Sequence, residues 1–530
     1  MGTRQQNKVH WFKLFHSHPM SFANVAIPIA LLFAFLYLRY GVFFFLPKQK
    51  KLDHRPPPPP PGPCPLPLIG NLHILGVLPH RTLQSLAKTY GPIMSLKLGQ
   101  VPAIVISSSQ AAELIFKTND IIFATRPKTQ AYDYLSYGFK GTAFAEYGPY
   151  WRHVKKLCTV QLLSAPKMEM FAPLRRKELC SVVKSLQKAS SSRQIVNLSE
   201  VLHNLTENMV FKMTFGPNTN KDNAFNYKEI VQEGMILAGA FNLADYVPWL
   251  RPFDLQGLRR RLKKCREATD ELLEKIIKER EEAQKIAKEN CQSFIDILLS
   301  LMNQPIGLHD DQEVVVDRTM VKAIIIDMFA AALEASAVVA EWALAELIKN
   351  PRVMKKLQDE IQNVVGMNRM VEEIDLLKLS YLDLTVKETL RLHPAGSLIP
   401  REAREDIIIN GYYIEKKTMV LVNTWGLGRD PKLWSDNAMT FYPERFLNNE
   451  MDVRGHHFQL IPFGSGRRRC PGMRMGLTII KLVVAQLVHC FDWELPYGIS
   501  PEELDMNEKF GLTIPRAKHL LAIPICRLYA

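Results

Sequence analysis

Cysteine is scarce in this sequence of 530 residues: there are eight, and no two have the CxxC spacing. This scarcity excludes a disulfide-stabilised extracellular scaffold and a zinc ribbon. Charged residues make up 23% of the chain and apolar residues 47%, which is typical of a globular protein and excludes a disordered or collagen-like one. From residue 68 onward the sequence also lacks low-complexity tracts and repeats, which favours one large domain.

The basic residues are unevenly distributed. The net charge is +14, and residues 1–55, with eight basic residues and one acidic residue, supply half of it. These charges flank an apolar run, 21–47, which contains one charge, Arg39, and is long enough to cross a bilayer as a helix. A nucleic-acid binder would instead spread basic residues over a folded face, so we predict membrane lipid and no nucleic acid as a partner.

The order of segments predicts a membrane-anchored domain. We predict a short leader at 1–20, a transmembrane anchor at 21–47, a basic and proline-rich hinge at 48–67 and a folded domain at 68–530. A cleaved signal peptide is the alternative to the anchor, but its apolar region is normally shorter. Basic residues after the run favour a cytosolic domain, and Met20 offers an alternative start of translation. Pro56–Pro61 predicts a stiff spacer, with an SH3-type ligand as the alternative.

Periodicity predicts a mainly α fold with a smaller β-rich region. Most of 150–390 has helical spacing, and 108–118 is also predicted to be helical. Residues 93–106 alternate around a Gly-Gln turn and predict a hairpin, and 405–422 alternate around Asn410-Gly411. The apolar stretch 234–253, followed by a basic one, has two interpretations: a surface that contacts the membrane, or a core helix followed by a solvated basic helix.

The strongest chemical signal is the segment 462–472, PFGSGRRRCPG. Glycines give the loop backbone freedom, and three arginines precede Cys470. Cations lower the pKa of a thiol and favour the thiolate, which is the form that binds metal. The Gly-Lys-Ser/Thr ending of a phosphate-binding loop is absent from the sequence. We therefore predict that Cys470 binds a metal.

This segment resembles the haem-binding loop FxxGxRxCxG of the cytochrome P450 superfamily. The matching residues are Phe463, Gly466, Arg468, Cys470 and Gly472. The resemblance implies a cytochrome P450 fold with an N-terminal transmembrane helix, and haem b as cofactor with Cys470 as its axial thiolate. Such a ligand pushes electron density to iron and favours cleavage of the O–O bond.

Two further motifs follow in the order typical of the superfamily. The first is Glu388-Thr-Leu-Arg391 and the second is Pro443-Glu-Arg445-Phe446, both before the cysteine loop. The resemblance implies that Glu388, Arg391 and Arg445 form a structural ion network behind the haem. An acid and a base three residues apart lie on one helical face, and without the resemblance such a pair would indicate a surface ion pair.

The resemblance also implies a set of residues that bind the haem propionates. These are Trp151 and Lys155 of a Trp-x-x-x-Arg helix, Arg401 and Arg468. Lys155 stands where the superfamily has arginine, so the charge is kept and the bidentate geometry is lost. Phe463 and Gly472 complete the predicted cofactor-binding residues.

The apolar stretch 321–346 resembles the oxygen-activating helix of the superfamily. Its acid is Glu334, but Ala335 stands at the usual alcohol position and Ser336 follows it. We predict Glu334 and Ser336 as catalytic residues, although Ser336 points about 100° away on a helix. Three outcomes are open: water or a substrate hydroxyl completes the proton relay, Ser336 replaces the alcohol, or turnover is slow and uncoupled.

The resemblance implies a monooxygenase of the endoplasmic reticulum membrane, single-pass, that takes electrons from NADPH through NADPH-cytochrome P450 reductase and uses O2. Strings such as EYGPYWRH and AELIKNP resemble plant A-type enzymes of specialised metabolism, particularly aromatic-ring hydroxylases. We therefore predict a phenolic substrate such as a lignan, biphenyl or other phenylpropanoid. There are three alternatives: a terpenoid oxidase, a reductase-independent enzyme that rearranges or dehydrates peroxides, and an inactive haem-binding scaffold. The predicted substrate contacts are Ala331, Leu398 and Leu512. The stretches predicted to line the substrate pocket are 130–145, 234–248, the helix near Ala331 and Glu334, Leu398-Ile399 and Leu512-Thr513.

Overall fold

A computed structural model describes residues 56–216, 221–286, 293–306 and 314–528. The chain divides into two units, Met1–Pro56 and Pro57–Ala530, and the description concerns the second. The predicted leader, the predicted anchor and the basic part of the predicted hinge lie outside the described residues.

Helices make up most of the second unit. The α-helices of the described ranges, labelled in chain order, are α1 Pro79–Tyr90, α2 Ser109–Glu113, α3 Gln130–Leu135, α4 Pro149–Leu157, α5 Ala165–Met170, α6 Ala172–Ser191, α7 Leu198–Phe215, α8 Lys221–Gly239, α9 Leu243–Tyr246, α10 Leu258–Ile286, α11 Phe294–Ser300, α12 Arg318–Lys349, α13 Pro351–Val365, α14 Ser380–Leu392, α15 Thr424–Leu427, α16 Pro431–Trp434 and α17 Met473–Cys490. π-helical turns follow α2 at Leu114–Thr118 and α4 at Cys158–Leu162.

The strands form one larger sheet and three small ones. They are β1 Ile93–Leu98, β2 Val101–Ile106, β3 Val196–Asn197, β4 Pro305–Ile306, β5 Val314–Val315, β6 Leu398–Glu402, β7 Ile407–Ile409, β8 Tyr412–Ile414, β9 Met419–Asn423, β10 Phe491–Glu494 and β11 Leu521–Cys526. The larger sheet has the order β1-β2-β9-β6, in which only β2 and β9 are parallel. The small sheets are β10-β11-β3, β4-β5 and β7-β8. The prediction of a mainly helical fold with a smaller β-rich region is confirmed.

Helix α12 runs through the centre of the largest hydrophobic core. Asp317 caps it by accepting a hydrogen bond from the Met320 N–H at 2.6 Å. The helix is apolar on nearly all sides, which requires burial on all sides, and it packs against α7, α14 and α17. Within the described residues, α12 and α17 are long and apolar enough to cross a membrane, but most of each is buried in the fold.

The predicted hairpin at 93–106 is confirmed. Strands β1 and β2 pair from Ile93↔Ile106 to Leu98↔Val101. The second alternating segment forms β7, β8 and β9, and Asn410 and Gly411 take positive φ values at the β7–β8 turn, as this pair of residues favours. The predicted helix at 108–118 consists of α2 and the π-helical turn after it.

The prolines of the predicted hinge lie against the domain. The Pro58 carbonyl accepts a hydrogen bond from the Tyr413 N–H at 3.0 Å, and Ser95 donates to the carbonyls of Pro60 and Pro61 at 2.7 and 2.8 Å. A Cβ at Gly62 would overlap the Ser95 carbonyl, so glycine is required for this close approach. Proline cannot donate a backbone hydrogen bond but can accept one, which suits it to the edge of a sheet.

Candidate active site

Cys470 lies in a tight loop just before the N-terminus of α17. The loop closes where the Cys470 N–H donates to the Phe463 carbonyl at 2.9 Å. Gly464 and Gly466 have φ values of +71° and +68°, which side chains rarely adopt, and a Cβ at Gly466 would overlap Asp120. Because the partial positive end of a helix favours a nearby anion, α17 contributes to the stabilisation of a Cys470 thiolate.

The electrostatics of the Cys470 thiol differ from our prediction. Although Cys470 is exposed, neighbouring protein atoms desolvate its sulfur and raise the pKa of the thiol, against the lowering effect of the Gly472 N–H, Arg126 and Lys155. A metal ion bound at the sulfur would favour the thiolate, since a coordinating thiol is deprotonated.

The three arginines of the loop have different partners. Arg467 pairs with Asp120 at 2.7 Å, and Arg468 donates to backbone carbonyls, including that of Ala124 at 2.6 Å. Arg469 contributes to lowering the pKa of Cys470. The side chains of Arg467 and Arg468 instead bind acceptors away from the thiol.

Trp151 and Lys155 of α4 lie beside Arg468. The Trp151 indole donates to the Thr142 carbonyl at 2.9 Å, and the Arg468 guanidinium lies 4.2 Å from the centre of the indole ring. Lys155 Nζ lies 4.9 Å from the same ring and donates to the Arg467 carbonyl. Burial, with the charge of Arg468, lowers the pKa of Lys155 to about 8. Burial, with the charge of Arg126, lowers that of Arg468 to about 9.

Arg401 of β6 is a buried cation with unused hydrogen-bonding capacity. Its Nη1 donates to the Pro400 carbonyl at 2.9 Å, but its Nη2 has no hydrogen-bond partner among the described residues. Nε of Arg126 is also buried and has no hydrogen-bond partner among the described residues, and the bridge between Thr125 and Glu402 brings the two arginines near each other. Burial, then the like charges of Arg126 and Arg468, lowers the pKa of Arg401 well below its usual range. Buried cations with free donors suit an anionic ligand with two carboxylates, such as haem with its propionates.

Glu388 and Arg391 are fully buried, and the nearly buried Arg445 joins them in one ion network. Both nitrogens of the Arg391 fork, Nε and Nη2, donate to Glu388 at 2.7 Å, and Arg445 Nε donates to the same carboxylate at 2.9 Å. The Tyr442 N–H is a further donor to Glu388, at 2.8 Å. The other N–H donors of both arginines bind backbone carbonyls between α15 and Pro443.

The two predicted catalytic residues of α12 point in different directions. Glu334 is half-buried and its Oε2 accepts a hydrogen bond from Thr513 Oγ1 at 2.8 Å. Ser336 is buried against α17, where its Oγ lies 3.7 Å from the position of a Cβ at Gly476. The structure therefore does not bring Glu334 and Ser336 together. Ala331 is exposed at mid-helix, four residues after Asp327.

Asp327 of α12 is a buried acid that holds a loop. Its Oδ2 accepts a hydrogen bond from the Ala143 N–H at 2.9 Å, and the Thr142 N–H also donates to the carboxylate. A Cβ at Gly141 would overlap this carboxylate, which explains the glycine. Burial outweighs these donors and raises the pKa of Asp327 to about 6.

We expect Asp327→Asn to remove part of the pH dependence of stability. The folded-state pKa of about 6 lies above the unfolded value of 3.8, so the contribution of Asp327 to stability is fully present below pH 3.8. It is lost as the pH rises through 6, and amounts to about 2 kcal/mol between pH 4 and 7. Urea unfolding of both proteins across this range measures the effect. Parallel stability curves would contradict it.

A cavity opens beside Asp327 between α3, α8, α10 and α12. The cavity has a volume of about 90 Å³, and nearly all of its lining atoms are apolar. The predicted stretches 130–145 and 234–248 contribute to the lining, as does Leu512. Ala330 lines the cavity and its neighbour Ala331 is exposed. Leu398 instead packs against the sheet cluster around Leu96 and is not part of this lining.

Sequence reasoning missed several residues of this region. Asp327 had a signal, because it is an acid inside an apolar helical run, and Arg126 lies in the string FATRPK at 123–128, which also resembles the plant A-type enzymes. The lining residues Cys265, Arg266 and Thr269 of α10 had no local signal, since they lie in a basic amphipathic helix that is otherwise typical of a surface.

Comparison with known proteins gives consistent matches. The sequence profile of the family "Cytochrome P450" matches residues 59–521. The chain is 54% identical to cytochrome P450 CYP736A12 of Panax ginseng over 87% of this chain and 92% of that protein. It is 42% identical to the desmethyl-deoxy-podophyllotoxin synthase of Sinopodophyllum hexandrum over 95% and 97%. A zebra fish cytochrome P450 solved with progesterone has the same fold, with a TM-score of 0.71 at 24% identity over 84% of this chain and 99% of that one.

These matches cover the helical core, the cysteine loop and the buried ion network described above. They identify a haem enzyme with cysteine thiolate ligation that uses NADPH-derived electrons. The chain belongs to the cytochrome P450 family and is a plant P450 monooxygenase.

Proposed function

We propose that Cys470 is the axial ligand of the haem and that Phe463 and Gly472 form the loop around it. The predicted propionate contacts are Arg468 of this loop and, beside the loop, Trp151, Lys155 and Arg401. The unpartnered Nη2 of Arg401 is the observation that best supports this placement, since a buried donor requires an acceptor. When bound, the haem supplies the activation of O2. The protein supplies the ligand, the cations and an apolar cavity.

We expect Arg401→Met to weaken haem retention by about ten- to hundredfold. A hydrogen bond to a charged group contributes about 1.5–3 kcal/mol, and this substitution removes one from the proposed propionate site. The rate of haem transfer from the holoprotein to apomyoglobin measures the loss. Arg193→Met, at an exposed ion pair with Glu494, is the matched control and should leave the rate unchanged. A wild-type rate in Arg401→Met would contradict the assignment.

We propose that the substrate is a hydrophobic phenolic metabolite, such as a lignan, a biphenyl or another phenylpropanoid, that gains one hydroxyl group. The apolar cavity is the observation that carries this proposal, because a lining that is almost entirely apolar suits a hydrophobic molecule. Tyr132 and Phe144 stack at its wall with ring centres 3.7 Å apart, which offers aromatic surface to an aromatic ligand. The Sinopodophyllum relative, named as a podophyllotoxin synthase, supports the same class.

We propose that the folded domain is cytosolic and is held on the endoplasmic reticulum by the single segment 21–47, with NADPH-cytochrome P450 reductase as partner. The segment 48–67 connects the two and the domain extends over 68–530. Three large apolar side chains near the α8–α10 connection support contact with a membrane: Trp249, Phe253 and Leu255 are all exposed. The exposed Arg260 and Arg261 lie close by in the chain, and such cations attract anionic headgroups.

Expression with a plant reductase tests the proposed function. Phenylpropanoids, lignans, biphenyls and terpenoids are each fed as a separate pool of compounds. Mass spectrometry detects a gain of one oxygen. We expect NADPH-dependent hydroxylation in a phenolic pool. Conversion only in the terpenoid pool would favour the terpenoid oxidase, and conversion without NADPH would favour the peroxide-rearranging alternative.

A further inference from the structure

The acid of the oxygen-activating helix has an alcohol partner from a distant part of the chain. Thr513 Oγ1 donates a hydrogen bond of 2.8 Å to Glu334 Oε2, across a separation of 179 residues. We propose that Thr513 supplies the hydroxyl that Ala335 lacks, and that it positions Glu334 and passes protons between Glu334 and the cavity. This inference rests on the monooxygenase activity but not on the identity of the substrate.

The two residues nearest to the usual alcohol position do not supply this hydroxyl. Ala335 has none, and Ser336 is buried against Gly476 of α17, on a different side of the helix from Glu334. Successive residues of a helix are rotated by about 100°, so Ser336 does not turn toward Glu334 without a break in α12. Helix α12 is continuous from Arg318 to Lys349.

The backbone next to Thr513 is held in place because both the N–H and the carbonyl of Ile514 are hydrogen-bonded. The Ile514 N–H donates to the Ala395 carbonyl at 3.1 Å, and the Ile514 carbonyl accepts from the Trp342 indole at 2.9 Å. Trp342 is itself stacked on His393, with ring centres 3.9 Å apart. A hydroxyl held in this way loses little further freedom when it acts, which is the condition for an effective proton relay.

The pair lies at the border of the apolar cavity. Asp327, Ala330 and Leu512 line the cavity, and Thr513 follows Leu512 in the chain. Glu334 is four residues after Ala330 and seven after Asp327, so it continues the same face of α12. Thr513 is buried while Glu334 keeps partial exposure, which gives the carboxylate access to protons.

The proton balance of the relay is closed. When Glu334 takes up a proton on Oε2, the hydrogen bond reverses: the carboxylic acid donates to Thr513 Oγ1, and the hydroxyl turns its own proton to an acceptor in the cavity. The proton on Oε2 then passes to Oγ1 as the hydroxyl proton passes to the acceptor. One O–H bond breaks on Glu334, one forms and one breaks on Thr513, and one forms on the acceptor. The pair ends as a carboxylate and an alcohol, so the relay consumes no oxidant or reductant.

The test compares variants of the haem-loaded enzyme with plant reductase and NADPH, with and without the phenolic pool. Peroxide and water formed per NADPH are measured, because poor proton delivery releases peroxide. We expect Thr513→Val to raise the peroxide share several-fold, Thr513→Ser to behave as wild type, and Ala335→Thr in the Thr513→Val background to restore the wild-type share. Thr206→Val is the matched control, since its buried hydroxyl bonds to its own helix.

A second readout requires no turnover. Urea unfolding of the ferric holoprotein is measured for Glu334→Gln, Thr513→Val and the double variant, and we expect non-additive destabilisation because the residues are in contact. Additive effects, or a wild-type peroxide share in Thr513→Val, would overturn the proposal. If no phenolic is converted, the peroxide measurement without substrate and the unfolding cycle still test the role of Thr513. Failure of the substrate proposal is therefore distinguishable from failure of the Thr513 proposal.

Discussion

Cys470→Ser is expected to abolish both the spectroscopic signature of a thiolate-ligated haem and NADPH-dependent turnover. Treatment of the wild-type enzyme with dithionite and carbon monoxide should give the far-shifted Soret band that a sulfur ligand produces. The variant should lack this band, because a serine hydroxyl ionises far less readily than a thiol and does not push electron density to iron. The Cys470 N–H still closes the loop on Phe463 through the backbone, so we expect the loop itself to form.

A buried cysteine elsewhere in the chain is the matched control for this experiment. Cys490 lies at the end of α17, its pKa is raised to about 11 by burial, and Gln486 Nε2 contacts its sulfur at 2.8 Å. Cys490→Ser should keep both the shifted band and product formation. A normal shifted band in well-folded, haem-loaded Cys470→Ser would refute the assignment of the axial ligand.

Glu388→Gln is expected to prevent the accumulation of haem-loaded enzyme. The substitution leaves two buried guanidinium groups, those of Arg391 and Arg445, without their anion. Loss of one partner of a buried ion pair costs about 3–5 kcal/mol, which is a large share of the roughly 5–15 kcal/mol that stabilises a typical protein. Haem content per polypeptide and the urea midpoint measure the effect.

Glu444 offers a control in the neighbouring Pro-Glu-Arg-Phe motif. It also binds two cations, but Arg352 and Lys356 are largely exposed and remain hydrated when their partner is removed. We expect Glu444→Gln to cost about 1 kcal/mol or less per pair and to yield normal haem content. If Glu388→Gln matched Glu444→Gln in stability and haem content, the buried network would not be a main determinant of the fold.

The parts of the fold that the sequence predicted are those with local causes. The hairpin of β1 and β2 follows from alternation around a tight turn, and α12 from a long apolar run with an acidic cap. The docking of Pro58–Pro61 on the sheet edge was not predicted, since proline-rich sequence specifies an extended backbone but not which strand it meets. The acceptors of Ser95 and Tyr413 depend on tertiary contacts alone.

The site divides in the same way. Cys470 and its glycines form one contiguous motif, so the sequence predicted the loop. The Thr513–Glu334 hydrogen bond joins residues far apart in the chain, and the pairing of Arg467 with Asp120 redirects a charge that local sequence assigned to the thiol. The balance between burial and neighbouring cations at Cys470 likewise depends on packing density, which composition does not specify.

The arginines of the Glu388 network recognise mainly peptide groups in the segment that follows α15. Arg391 and Arg445 bind the carbonyls of Ala438, Asn437 and Thr440, which every amino acid provides. Most of this segment is therefore free to drift in composition during evolution, while insertions and deletions are selected against because they shift the carbonyls out of register. Asn437 and Gly428 are exceptions, since the Asn437 side chain accepts a hydrogen bond from Arg445 and any side chain at Gly428 would collide with the Arg391 backbone.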